Sequence, residues 1–202
     1  GIILPAGATV IVEGKAEILS EYNGIWTEEG DLDIQLKAGA SLEIASIYEN
    51  GIWAKNGDIT ITGEADSKDN LPKLDIYAYE EGILTGDEYN WLPGGSITIT
   101  SCDIDIQAEE DGIQATDGSL TITDSKVKII SDSDALLVEC YSDINPENKL
   151  TLTDCDIYIE AYDEGIQSYH GDIVITDCDT YIDTTADEEG IYTFTANAPD
   201  GY

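Results

Sequence analysis

The stretch that decides the fold runs from Glu109 to Ile129 and reads "EEDGIQATDGSLTITDSKVKI". A near copy, "YDEGIQSYHGDIVITDCDTYI", runs from Tyr162 to Ile182. Each is an acidic pair, a Gly-Ile, an alternating segment and then a second alternating segment. Working outward, the Gly-Ile punctuation recurs at Gly24-Ile25, Gly51-Ile52, Gly82-Ile83, Gly112-Ile113, Gly165-Ile166 and Gly190-Ile191, with Ala135-Leu136 in the remaining place. The spacing, about 23–31 residues, is that of a solenoid array. After the punctuation come "GDLDIQL", "GDITITG", "GSITITS", "GSLTITD", "NKLTLTD" and "GDIVITD". A third set follows: "SLEIAS", "KLDIYA", "CDIDIQA", "SKVKIIS", "CDIYIEA" and "CDTYIDT". Both sets alternate with period two, so one row of side chains points in and the other out.

Three short strands per repeat predict an all-β, right-handed parallel β-helix of about seven rungs, stacked about 4.8 Å apart. A β-sandwich would not hold like residues in register repeat after repeat. The chain of 202 residues reads as one domain, 1–202, excised or processed from a longer secreted protein, since it lacks Met altogether. Ile59, Ile97, Leu120, Leu150 and Ile173 form one predicted inward column, and the residues after the punctuating glycines another. Gly63–Pro72, Gly86–Gly95 and Glu139–Asn148 read as corner insertions, rich in Gly, Pro, Asn and Asp. Cys102, Cys155 and Cys178 share an inward column with Ser125. Stacked parallel side chains suit a Cys155–Cys178 disulfide poorly. No C-x-x-C pair occurs and His170 is alone, so zinc and redox motifs are not expected.

Charge narrows the function. There are 43 acidic residues against 8 Lys+Arg, net −35, and every basic residue is Lys. Such a surface repels nucleic acid and anionic membranes. No apolar run approaches a membrane span. The residues before each Gly-Ile form a column: Asn23, Asn50, Glu81, Asp111, Asp134, Glu164, Glu189. Carboxylates stacked about 5 Å apart repel unless solvated or bridged by a hard cation, and Ca²⁺ takes 6–8 oxygens. The expected metal ligands are Glu110, Asp111, Asp132, Asp134, Asp163 and Glu164, where the acidic residues are densest. A solvated acidic edge is the alternative.

Trp26 and Trp53 follow inward isoleucines on adjacent rungs, so both should point outward and stack, while Trp91 sits in an insertion. These three are the expected carbohydrate-binding residues, since rings beside carboxylates suit the apolar face and the hydroxyls of a sugar. Burial of the Trp pair under the N-terminal segment stands as an equal alternative. The outward Thr-x-Thr array, Thr60/Thr62 through Thr151/Thr153, is similar to the ice-binding face of some β-helical antifreeze proteins. Here Asp, Ser or Gly follows the second Thr, which spoils a flat lattice.

The fold and the acidic ladder resemble pectate lyases, which use Ca²⁺ and an Arg, sometimes a Lys, as base. The absence of Arg disfavours that chemistry and no catalytic residue is expected. Lys126 and Lys128 lie on one strand in a neighbouring rung, outside the dense acidic column. The segments "EEDGIQATDGSLTIT" and "YDEGIQSYHGDIVIT" more closely resemble a family of secreted bacterial β-helix proteins known as carbohydrate-binding domains. That resemblance implies a pectate-lyase-like fold, bound calcium, and acidic or cellulosic polysaccharide as partner without lyase activity. Two departures stand out: "TDC", "TSC" and "TDS" replace the family's glycine pair, and "NGIW" lacks an acidic residue before Gly. The expectation is an extracellular or cell-surface, calcium-binding, non-catalytic polysaccharide binder. If the polysaccharide is acidic, Ca²⁺ would bridge it to the protein. A structural or adhesive solenoid that joins end to end, as a surface or filament subunit, is the alternative, and a lyase-like enzyme the third.

Overall fold

In the computed structural model, residues 1–65, 67–87, 94–140, 148–185 and 189–194 are described. Twenty-two strands are arranged as three parallel sheets of eight, seven and seven strands. The first sheet holds β1 (Ile2–Leu4), β4 (Ile25–Thr27), β7 (Ile52–Ala54), β10 (Ile83–Thr85), β13 (Ile113–Thr116), β16 (Leu136–Glu139), β19 (Ile166–Tyr169) and β22 (Ile191–Phe194). The second holds β2 (Ala8–Val12), β5 (Leu32–Leu36), β8 (Ile59–Gly63), β11 (Ile97–Thr100), β14 (Leu120–Thr123), β17 (Leu150–Thr153) and β20 (Ile173–Thr176). The third holds β3 (Lys15–Ser20), β6 (Ser41–Ser46), β9 (Lys73–Ala78), β12 (Asp103–Ala108), β15 (Lys126–Ser131), β18 (Asp156–Ala161) and β21 (Asp179–Thr184). Each strand between the sheet ends pairs with the strand one turn before and one turn after, as a β-solenoid requires. The rung count is close to the seven expected from the repeat.

Register follows the hydrophobic pattern. Ile59, Ile97, Leu120, Leu150 and Ile173 are directly opposed from rung to rung, as are Ile25, Ile52, Ile83, Ile113, Leu136 and Ile166. A slip of one residue would turn every inward side chain to solvent, so the alternation itself pins the pairing. The inward Ile, Leu and Val of the middle rungs are almost wholly buried. Each such side chain contributes about 1.5–3 kcal/mol of transfer free energy. Branched side chains also suit extended backbone.

Two kinds of corner close each turn. Before most first-sheet strands a glycine permits a close approach, with Ala135 in that place on one rung. A Cβ on Gly82 would lie 2.5 Å from the carbonyl oxygen of Gly112 and 2.5 Å from Cγ2 of Ile106. After the second-sheet strands the backbone turns left-handed without glycine, at Ser101, Asp124, Asp154 and Asp177, with φ between 51° and 57°. Short polar side chains tolerate that region best after glycine. This is how "TSC", "TDS" and "TDC" do the work of the expected glycine pair.

The next residue at that corner points inward. Ser125 Oγ accepts from the Cys102 N–H at 3.2 Å, and Cys178 Sγ from the Cys155 N–H at 3.4 Å. Cys102, Cys155 and Cys178 are free thiols. Burial pushes Cys102 up to about 12 and Cys155 up to about 11, so these thiols are unreactive packing groups.

On the first turn Val10, Ala16, Ile18 and Leu42 line a largely apolar groove of about 600 Å³, flanked by Glu13 and Glu17. Ile2 and Ile11, which also line it, are exposed. Among the described residues no helix is long and apolar enough to cross a membrane.

Candidate functional site

The acidic column of the sequence is a hydrogen-bonded ladder. Asn23 Oδ1 accepts from the N–H of Asn50 at 3.2 Å, and Asn50 Oδ1 from the N–H of Glu81 at 3.0 Å. Further along, Asp111 Oδ1 accepts from the N–H of Asp134 and Asp134 Oδ1 from the N–H of Glu164, both at 2.9 Å. The side chain before Gly-Ile thus satisfies a backbone donor of the next rung. Asn does this without charge. Asp does it with a carboxylate only 8% exposed at Asp111 and 6% at Asp134. Burial, the Asp111 charge and the contact with Glu164 push the Asp134 carboxyl up to about 8.

The six expected metal ligands fall into three columns. Asp111, Asp134 and Glu164 come together in the buried ladder. Glu110 and Asp163 lie one column outward, separated by Ser133 on the rung between them. Asp132 lies further out and is exposed. Among the described residues no three His, Cys, Asp or Glu side chains form a group that could hold a metal ion. The donor chemistry is that of a hard cation; a closed cage is not formed.

The two tryptophans do stack. Trp26 and Trp53 are opposed in register, with ring centroids 5.7 Å apart and planes at 21°. Ile3 of β1 continues the same outward column, so the N-terminal segment covers part of Trp26. Both rings stay half-buried at the side of an open groove of about 450 Å³ that also takes in Glu28, Glu49 and Lys55. Trp53 Nε1 donates to Gly86 O at 2.7 Å. The Lys55 ammonium lies 5.7 Å from the Trp53 ring and 3.2 Å from Asp87. Trp91 lies outside the described residues.

A second groove, about 530 Å³, gathers two of the outward tyrosines of the sequence, Tyr158 and Tyr181, which were not among the expected carbohydrate-binding residues. It runs along the outer face of the third sheet between two columns in register: Asp103, Lys126, Asp156, Asp179 and Asp105, Lys128, Tyr158, Tyr181. Tyr158 and Tyr181 stack at 5.0 Å and 12°. The Tyr158 hydroxyl donates to Glu160 and the Tyr181 hydroxyl contacts Asp183 at 3.5 Å. Lys128 Nζ is held by Asp105 at 2.9 Å. The signal was in the sequence, as the recurring outward Tyr of "CDIYIEA" and "CDTYIDT", yet only the register shows that the rings meet.

A family model described as a carbohydrate-binding domain-containing protein matches residues 73–200. No curated protein and no solved structure matches the chain.

Proposed function

The chain belongs to the family of carbohydrate-binding domain-containing proteins, and from that premise we propose that it is an extracellular, non-catalytic polysaccharide binder. The observation that carries this reading is the groove beside Trp26 and Trp53, where half-buried indoles meet Glu28, Glu49 and Lys55. Indole edges offer apolar contact to sugar C–H groups, and the charged side chains bond hydroxyls at the rim. A rigid solenoid holds both in place without rearrangement. In affinity gel electrophoresis with soluble polysaccharides, Trp26→Ala/Trp53→Ala should reduce retardation by roughly tenfold in apparent affinity. Unchanged retardation would remove the Trp pair from the site.

Calcium is part of the proposal at one place. Asp111, Asp134 and Glu164 offer oxygen donors of the kind Ca²⁺ takes but not a preformed three-ligand group, so a divalent cation would have to draw them together. Water and backbone oxygens would have to complete the shell. If the polysaccharide is anionic, Ca²⁺ would have to bridge it to this surface.

A second reading rests on the largely apolar groove on the first turn. An open solenoid end offers unpaired strand edges and could join another solenoid end to end, as in a surface or filament subunit. Size-exclusion chromatography with light scattering separates the two: a monomer at micromolar concentration opposes the assembly reading. Lyase activity comes third. Lys128, one of the few cations on the third sheet, is engaged by Asp105. Ultraviolet absorbance of unsaturated products from polygalacturonate would reveal it.

A further inference from the structure

We propose that the groove on the third sheet, walled by Tyr158–Tyr181 on one side and Asp156–Asp179 on the other, is a binding site for an uncharged polysaccharide strand. The inference deepens the carbohydrate-binding reading and rests on it.

Four observations carry it. The groove lies within residues 73–200, the part of the chain that the carbohydrate-binding family model matches, whereas Trp26 and Trp53 lie outside it. The matched region thus holds a groove of its own. Its volume, about 530 Å³, is in the range of small-ligand sites. The two tyrosine rings are exposed, 38% and 52%, although stacked, so apolar surface remains for a ligand. Their hydroxyls are turned along their strands to Glu160 and Asp183, which keeps the polar tips directed away from Asp156 and Asp179 on the same strands.

The opposite wall has the complementary chemistry. Asp156 and Asp179 sit on successive rungs, with the Lys126 ammonium one rung before. Carboxylates accept from sugar hydroxyls and an ammonium donates to hydroxyl or ring oxygens, both as charge-assisted bonds. The four rungs from β12 to β21 give the groove a length of about 14 Å, enough for a short run of sugar rings along the solenoid axis. Charge selects the class of ligand. Asp103, Asp156 and Asp179 outnumber Lys126 and Lys128 in its lining, Lys128 is held by Asp105, and the whole chain carries −35. A uronate strand would be repelled, and an uncharged one would not.

The test is affinity gel electrophoresis in EGTA with a mixed-linkage β-glucan, a galactomannan and polygalacturonate. The wild type should be retarded by at least one neutral polysaccharide and not by polygalacturonate. Tyr158→Ala/Tyr181→Ala should weaken that retardation roughly tenfold. Should that variant lose its cooperative melt, Asp156→Ala/Asp179→Ala tests the other wall, at exposed positions where folding is not at stake. Equal retardation of wild type and both variants would overturn this site while leaving the carbohydrate-binding reading and the Trp groove intact. Retardation by polygalacturonate alone would overturn the uncharged class. No retardation by any polysaccharide would overturn the carbohydrate-binding reading, and this site with it.

Discussion

At the scale of the residue, the ladder before each Gly-Ile shows one position solved in two ways. Asn23 and Asn50 accept a backbone N–H with a neutral amide, while Asp111 and Asp134 accept it with a buried carboxylate. The Asp134 carboxyl is raised to about 8. For an acid raised in the folded state, the native chain binds more protons than the unfolded one between the two values. Stability from this group is therefore complete below about 4 and is lost as pH rises towards about 8. Asp134→Asn keeps the acceptor and removes the charge. In EGTA it should melt a few degrees above wild type at pH 8, since about 1 kcal/mol shifts a domain of this size by roughly 2–4 °C. The gap should close towards pH 5. A constant gap across pH would mean that the carboxylate is not desolvated. The glycines of the same corner carry a steric demand instead. Gly82→Ala should cost about 1–3 kcal/mol, the price of overpacking against Gly112 O and Ile106, and thermal melts would read it.

At the scale of the element, period two does nearly all the work. The strands and their inward columns were legible because an Ile every second residue leaves few alternatives over so many repeats, while most of the insertions at Gly86–Gly95 and Glu139–Asn148 lies outside the described residues. The left-handed corners were only half legible. "TDS" reads as a turn, but that Asp takes the left-handed place glycine would fill needs the backbone, with φ of 51° at Asp124. A β-branched residue suits that conformation badly, at a cost of order 1–3 kcal/mol. Asp124→Val should lower the melting temperature by several degrees and Asp124→Gly should not. The Tyr158–Tyr181 contact was legible only as two outward positions. Stacking depends on which strands are neighbours and on which residues face, and that comes from the sheet register. The expected metal ligands are three acidic pairs on three successive repeats, and the folded corner sets them in three columns, as the repeat alignment already implied.

At the scale of the whole molecule, the charge of −35 acts on every rung. Self-repulsion opposes compaction, and cations of any valence relieve part of it. Thermal unfolding at matched ionic strength, in EGTA and in millimolar Ca²⁺, separates screening from binding. A melting temperature raised only by Ca²⁺ is expected from the calcium proposal, because an ion that binds the native state alone stabilises it by mass action. No response beyond that of matched monovalent salt would leave the ladder to protons and water. A simultaneous rise in scattering would favour end-to-end assembly.

The pairing of each strand with the one a turn later also governs the order of events in time. The N–H of Gly24 bonds to Asn50 O, that of Gly51 to Glu81 O, and that of Gly82 to Asp111 O. No turn is complete until its successor arrives, and each successor closes a loop of similar length, so no later closure is harder than the first. The first pair of turns must form with nothing to copy; every later one is laid on a finished template. Folding of this chain should therefore resemble the growth of a crystal, with a slow nucleus and a steady advance in register.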